Sequence, residues 1–356
     1  MASHLPNAAV AIALILGLSH LGSPASTPGE VQSESGIKRA NTTWTVHSTA
    51  DAGVGTLREA LESVEHGDLI NFDAAVFPMG SPTPIHLLSA LPAMSQGNLT
   101  LDATGAGVIL NGSGLPGDAV GLQVVSDSNV VRGLQVLYCP GAGVKLSSTA
   151  SENTVEGNVI SSNGGSCGLE ILGARNVVVG NFIGTDAIGT AGMGNSNHGV
   201  CIGDSSGNLI GPGNVIAYNG GVGIEVSGIA ATGNTITQNS ITANIAEGIR
   251  LQDGGNGDLA APLITVCTDT SISGIAPSGC VIEVFSDDSA EGKTYEGATT
   301  SDGTGTFSFA KPAGLAGPDI TATATDSVGN TSPFSPAASV ATQPTTWSEI
   351  KAEFRK

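Results

Sequence analysis

One short string recurs through the middle of this sequence and limits the folds open to it. Gly121-Leu-Gln-Val124, Gly143-Val-Lys-Leu146, Gly168-Leu-Glu-Ile171, Gly199-Val-Cys-Ile202, Gly223-Ile-Glu-Val226 and Gly248-Ile-Arg-Leu251 each read glycine, apolar, variable, apolar. Their spacings are 22, 25, 31, 24 and 25 residues. Asparagine recurs in the same phase, as Asn129-Val-Val, Asn153-Thr-Val, Asn176-Val-Val, Asn208-Leu-Ile and Asn234-Thr-Ile. A third string runs Asn158-Val-Ile-Ser-Ser-Asn163, Asn214-Val-Ile-Ala-Tyr-Asn219 and Asn239-Ser-Ile-Thr-Ala-Asn244. Each apolar run is short, alternates in and out, and is bounded by Gly or Asn, which is the pattern of a short strand between tight turns. No helical stripe fits between them. A repeat of about 25 residues holding some three short strands is one coil of a parallel β-helix. Coils stack at the ~4.8 Å strand spacing, and asparagines at equivalent turns are expected to adopt the left-handed conformation and stack their amides.

Composition removes several alternatives. Gly is 51 of 356 residues, about twice the usual share, but without the every-third period of collagen. Charged residues are 12%, too few for a long coiled coil. The net charge of −19 repels nucleic acid and anionic lipid, so nucleic acid is not an expected partner. Polyanionic polysaccharide is disfavoured for the same reason unless a cation bridges the contact.

Less regular coils are expected upstream, at Leu69-Ile-Asn-Phe72, Ile85-His-Leu-Leu88, Leu99-Thr-Leu-Asp102 and Val108-Ile-Leu-Asn111. Thr56-Leu-Arg-Glu59 is a capping box, and Leu57, Ala60, Leu61 and Val64 form one helical face. A helix there would cover the open end of the solenoid, an aggregation-prone edge if left bare. The segment Trp44-Thr-Val-His-Ser-Thr-Ala-Asp-Ala-Gly-Val-Gly-Thr-Leu-Arg-Glu-Ala60 resembles the N-terminal motif of bacterial exported β-helix proteins named for a Cys-Ser-Leu-Arg-Glu-Ala string, with Gly55-Thr56 in place of Cys-Ser. Gly180-Asn-Phe-Ile-Gly-Thr-Asp186 and Asn208-Leu-Ile-Gly-Pro-Gly-Asn-Val-Ile216 are similar to repeats of the same group. The resemblance implies the right-handed parallel β-helix of the pectin-lyase-like superfamily, which holds lyases, hydrolases, adhesins and stalks. It therefore leaves activity open.

After Asp253-Gly-Gly-Asn-Gly-Asp258 the repeat stops and strands at Ile264–Cys267, Ser271–Gly274, Val281–Phe285, Gly305–Phe309 and Ile320–Ala324 suit a small β-sandwich. Asp319 to Pro333 is similar to bacterial immunoglobulin-like modules, which serve as spacers or adhesive units. The expected organisation is all-β: a signal peptide at 1–25, a linker at 26–43, a right-handed parallel β-helix with an N-terminal capping helix at 44–260, an immunoglobulin-like β-sandwich at 261–340 and a tail helix at 341–356. The signal rests on the apolar run Ala8 to Leu18, too short to span a bilayer, and on small residues at Ser23 and Ala25. No other stretch is apolar and long enough for a membrane span. The signal pattern makes a secreted or cell-surface protein the expectation, and a monomer is expected. Of five cysteines, none is spaced as a zinc site, and Cys267 and Cys280 are placed to close a short loop.

The outward residues of the repeated tetrads form a column: Gln123, Lys145, Glu170, Cys201, Glu225 and Arg250. Lys145, Glu170, Cys201, Glu225 and Arg250 are the candidate binding residues, and Lys145–Glu170 and Glu225–Arg250 read as ion pairs between adjacent coils. Glu170 and Glu225 lie two coils apart, roughly 9.6 Å, at the edge of the ~6.5–9.5 Å range of inverting glycosidases. A basic neighbour beside each favours the charged form, which is wrong for a general acid. His198, in the longest coil, joins Glu170 and Glu225 as a weak catalytic candidate; with Asp186, Cys201 and Glu225 it falls on one expected groove. Asp253, Asn256 and Asp258 offer oxygen ligands suited to Ca²⁺, the one cofactor the sequence suggests. The favoured reading is a cell-surface or matrix binding and spacing protein for a polysaccharide, neutral in charge, or another cell-surface component. The alternative is a polysaccharide lyase or glycoside hydrolase.

Overall fold

The computed structural model describes residues 41–339. The expected signal peptide and the tail helix lie outside the described residues. The chain winds through three parallel sheets of eight, seven and six strands. The first runs from Thr43–Val46 to Thr235–Ile236, the second from Thr83–His86 to Ser240–Thr242, and the third from Leu122–Val124 to Ile249–Gln252. Every pairing within them is between successive coils and parallel. The protein is a right-handed parallel β-helix of about eight turns.

The repeated tetrads are the strands of the third sheet, and they pair in the register their spacing predicts. Leu122 pairs with Val144, Val144 with Leu169, Leu169 with Val200, Val200 with Ile224 and Ile224 with Ile249. The two apolar positions of each tetrad point inward. Leu122, Val124, Val144, Leu146, Leu169, Ile171, Val200, Ile202, Ile224 and Val226 have no solvent exposure, and each is worth about 1.5–3 kcal/mol of burial. The leading glycine is fixed by crowding rather than by turn conformation. A Cβ on Gly199 would sit 2.6 Å from the Gly223 carbonyl oxygen, and one on Gly223 would sit 2.6 Å from that of Gly248. The six expected glycines therefore stack one over another.

At the corners asparagines form three ladders. In each, the Nδ2 group donates to Oδ1 of the equivalent asparagine one coil on. The first ladder runs Asn129, Asn153, Asn176, Asn208, Asn234, the second Asn158, Asn181, Asn214, Asn239, and the third Asn163, Asn195, Asn219, Asn244, at 2.8–3.2 Å. Most rungs gain a second bond from the backbone N–H to the same oxygen. Amides buried this deeply must find partners, and the stack supplies them. The expected left-handed conformation falls one residue earlier. Ser128, Glu152, Arg175, Ser162, Tyr218, Gln238 and Ala243 precede ladder asparagines and have φ between 50° and 61°. The asparagine itself is thereby turned inward, where its amide can bond.

The α-helix among the described residues, Leu57–Ser63, puts Leu57, Ala60 and Leu61 into the same buried core as the first strands. Its capping box is half formed. Thr56 Oγ1 accepts the Glu59 N–H at 3.2 Å, but Glu59 Oε2 reaches past Thr56 to accept the Gly55 N–H at 2.6 Å.

After Gln252 the chain forms two small antiparallel sheets. Leu263–Cys267, Ser271–Ile275 and Thr306–Ala310 make one, and Thr294–Thr300, Val281–Asp287, Asp319–Thr325 and Ala338–Ser339 the other. Ile272, Ile282, Val284, Phe307 and Ile320 fill the core they share. The four-stranded sheet and the loop after its strand Val281–Asp287 meet the last coil of the solenoid through three buried carboxyl side chains. Glu283 accepts from Thr237 Oγ1 at 2.6 Å and the Gln238 N–H at 3.0 Å, Asp287 from Thr242 Oγ1 at 3.0 Å, and Glu291 from the Asn244 N–H at 3.3 Å. Glu291 stands where the next asparagine of the third ladder would be. Asn256 ends the first ladder in the same way, accepting the Asn234 N–H at 3.0 Å.

Cysteine pairing differs from the sequence expectation. The disulfide joins Cys167 and Cys201, with Cα atoms 5.9 Å apart, while Cys139, Cys267 and Cys280 are free. Cys267 sits on the three-stranded sheet with its sulfur toward the Ala338 carbonyl, and Cys280 is buried at the start of the other sheet, so the short loop between them is not closed.

Candidate functional site

The outward column of the third sheet exists as read. Gln123, Lys145, Glu170, Cys201, Glu225 and Arg250 pair in register, each directly beside the next. Parallel pairing forces this, because equivalent residues of successive coils share both face and height.

The column's groups are largely spent on one another. Lys145 Nζ lies 2.7 Å from Glu170 Oε2. Gln123 Nε2 donates to Ser147 Oγ at 3.1 Å. Arg250 Nη1 lies 3.7 Å from Glu225 Oε2, and Nη2 pairs with Glu247. The carboxyl of Glu247 is held below the usual range by its own backbone N–H and by the Arg250 guanidinium. Cys201 is in the disulfide, so it offers no free thiol beside His198.

His198 is oriented from both sides of its ring. Nδ1 accepts the Val222 N–H at 2.9 Å, and Nε2 faces Glu225 Oε2 at 3.7 Å. With Nδ1 accepting, the neutral ring carries its proton on Nε2, toward the carboxylate. Asp186 leaves the expected groove. It folds the loop of the longest coil by accepting the Thr190 N–H at 2.8 Å and the Ala191 N–H at 3.2 Å, and those backbone donors lower its pKa.

The expected Ca²⁺ ligands are not brought together. Asn256 has no exposed surface; its Oδ1 takes the Asn234 N–H, and its Nδ2 donates to the carbonyls of Asn234 and Thr331 at 2.7 and 3.0 Å. It is committed to the ladder, while Asp253 and Asp258 are exposed beside it. Among the described residues no three His, Cys, Asp or Glu side chains form a metal-binding group, and no helix among them is long and apolar enough to cross a membrane.

Two clefts flank the column. One, of about 340 Å³, opens at its C-terminal end between Glu247, Ile249, Glu291 and Phe334. Burial is the largest influence on Glu291 there and pushes its carboxyl up to about 7. The other, of about 560 Å³, lies beside the N-terminal coils and is lined by His66, Gln96, Asn98, Asp127 and Ser128. Neither was visible in the sequence. Glu291 comes from the loop between the strands Val281–Asp287 and Thr294–Thr300, and the residues of the second cleft sit in corner loops with no shared string.

A family model described as right handed beta helix region matches residues 185–292. No curated protein matches the chain in sequence. Among solved structures it is similar to an alginate lyase from Paenibacillus sp. str. FPU-7, at 16% identity over 60% of this chain and 69% of that one, with a TM-score of 0.37. It is also similar to the pectate lyase Pel9A, at 16% identity over 62% of this chain and 68% of that one, TM-score 0.35. A third similarity is to the periplasmic alginate epimerase AlgG, at 13% identity over 59% of this chain and 54% of that one, TM-score 0.26.

Proposed function

We propose that the protein is an exported, cell-surface or matrix β-helix that binds neutral polysaccharide along its side and holds it at a distance. In this reading residues 44–260 are the binding rod, the helix at Leu57–Ser63 closes its first coil, and residues 261–340 are an immunoglobulin-like spacer. The observation that carries it is the state of the lateral column. Its acids are paired with bases and its cysteine is oxidised, so the column presents no free acid, base or nucleophile, which favours binding over catalysis. A disulfide across adjacent coils is consistent with an oxidising compartment, and the charge of −19 favours uncharged over anionic glycans.

The enzyme reading draws on one observation, the cleft at the end of the column. Glu291 has its pKa raised and Glu247 has it lowered, and a split pair of carboxyls is how a glycosidase assigns acid and base. One experiment separates the two. The protein is incubated with a panel of polysaccharides, with and without Ca²⁺, and new reducing ends and unsaturated products are measured. A binding protein retains glycans without turnover. Turnover that disappears in Glu291→Gln or Glu247→Gln would replace the binding reading with the enzymatic one.

A further inference from the structure

The cleft beside the N-terminal coils has a glycine, Gly97, in its wall. Leu69 pairs with Thr100 and Thr100 with Val130. His66, Gly97 and Asp127 each stand three residues before these partners, so they are equivalent positions on three successive coils. Gly97, at φ 74°, leaves the middle position empty. A Cβ there would lie 3.4 Å from the Asp127 carbonyl oxygen and 3.8 Å from the His66 ring. The cleft measures about 560 Å³, within the ~300–1,000 Å³ range of small-ligand sites.

Five of the side chains that line it are polar with hydrogen-bonding atoms left over, while the hydroxyls of Ser126 and Thr149 are bonded to the Met94 and Val125 carbonyls. The His66 ring, the Asn98 amide and the Ser128 hydroxyl have no hydrogen-bond partner among the described residues. Gln96 uses only its oxygen, on the Ser95 N–H, and Asp127 uses only Oδ1, on the Ser151 N–H at 2.7 Å. Gln96 Nε2 and Asp127 Oδ2 remain. The contrast with the lateral column, whose groups bond to one another, is direct. Asn98 and Ser128 are also locked in direction, because both hold left-handed backbone, at φ 52° and 61°, ahead of buried Leu99 and Asn129.

The chemistry selects the ligand. No Lys or Arg lines the cleft, so it has nothing to hold an anion. A single carboxylate does not hold a metal ion, and Val125 is the one large apolar side chain in the lining, too little to seat a lipid or an aromatic compound. An uncharged ligand that both donates and accepts at many points remains. Adjacent hydroxyls bind well to an amide or a carboxylate, which present two polar atoms side by side. We propose that His66, Gln96, Asn98, Asp127 and Ser128 form a binding site for a segment of neutral saccharide. The proposal rests on the carbohydrate-binding reading above and moves its site from the column to the corner loops.

Binding of neutral cello-, xylo- and manno-oligosaccharides to the full chain is measured by calorimetry, for the wild type and three variants. His66→Ala/Asn98→Gly removes two hydrogen-bonding groups and keeps the left-handed backbone at 98. Gly97→Asn fills the gap with a residue that tolerates positive φ and removes no binding group. Glu170→Gln/Glu225→Gln alters the column. The site predicts at least one oligosaccharide bound, affinity reduced tenfold or more by each of the first two variants, and less than a twofold change from the third. Binding that survives both cleft variants and falls in the column variant overturns the site and leaves the carbohydrate reading standing. Binding unchanged in all three also overturns the site. No binding by the wild type overturns both. Circular dichroism of each variant checks the fold.

Discussion

Replacing Asn181 by Ala tests the ladders where they are deepest. Asn181 has no exposed surface. Its Oδ1 takes the Asn158 N–H at 3.0 Å and the Asn158 Nδ2–H at 3.1 Å, and its Nδ2 donates to the Val155 carbonyl at 2.9 Å and to Asn214 Oδ1 at 2.9 Å. Alanine leaves two buried donors on Asn158 without an acceptor, each costing about 1–3 kcal/mol. The expected loss is about 4 kcal/mol. At ~2–4 °C per kcal/mol for a chain of this order, the melting temperature should fall by roughly 10 °C. Asn129→Ala is the control. Asn129 Oδ1 takes only the Leu99 N–H, at 3.0 Å, so it strands one donor and should cost about half as much. Calorimetry and urea unfolding of the two variants beside the wild type measure both. A cost below about 1 kcal/mol for Asn181→Ala, or an equal cost for both, would refute the idea that the stacked amides hold the corners.

Three further outcomes are expected. Glu291 is more basic when folded than its ordinary value of 4.5, at about 7, so the folded state binds its proton more tightly. Its contribution is therefore full below about pH 4.5 and is lost as pH rises through 7. The melting temperature of the wild type should fall relative to Glu291→Gln between pH 5 and pH 8, by the equivalent of about 2 kcal/mol after allowing for solvent screening; parallel curves would refute this. Peptide mapping without reductant should recover Cys167 joined to Cys201, with Cys267 alkylated on unfolding, and reduction should cost about 2–4 kcal/mol. A double-mutant cycle on Lys145 and Glu170, which are about a quarter exposed, should give a coupling of roughly 0.5 kcal/mol, and a value above 2 would mean the pair is a structural clamp.

The solenoid was legible because its cause is local and periodic. A glycine pressed against the next coil and two inward apolar residues repeat in every tetrad, so strand, register and the outward column all follow from spacing. Other features arise from contacts that spacing does not encode. The left-handed residues before the ladder asparagines include Glu152, Arg175 and Tyr218, types with no turn signature, held there by the bonds of the residue that follows. Cys167 lies before its tetrad and pairs in register with His198, while Cys201 pairs with Glu170. Their disulfide crosses the strands diagonally, outside the column arithmetic. Glu283, Asp287 and Glu291 meet residues some 45 positions earlier in the chain, from a strand and its following loop that lie outside the repeat. The open cleft gathers His66, Gly97 and Asp127 from three successive coils, and residues with no shared string come together only when those coils are superposed.

The ladders also bear on how such a rod can change in length. Each inner rung, such as Asn181 between Asn158 and Asn214, gives and receives the same bonds as the rungs on either side, while the special partners, Asn256, Glu283 and Glu291, stand at the C-terminal end. A duplicated coil inserted mid-rod would meet familiar neighbours above and below, and both termini would go on fitting as before. Reach could thus grow in steps of one strand spacing by gene duplication, with no new interface to invent.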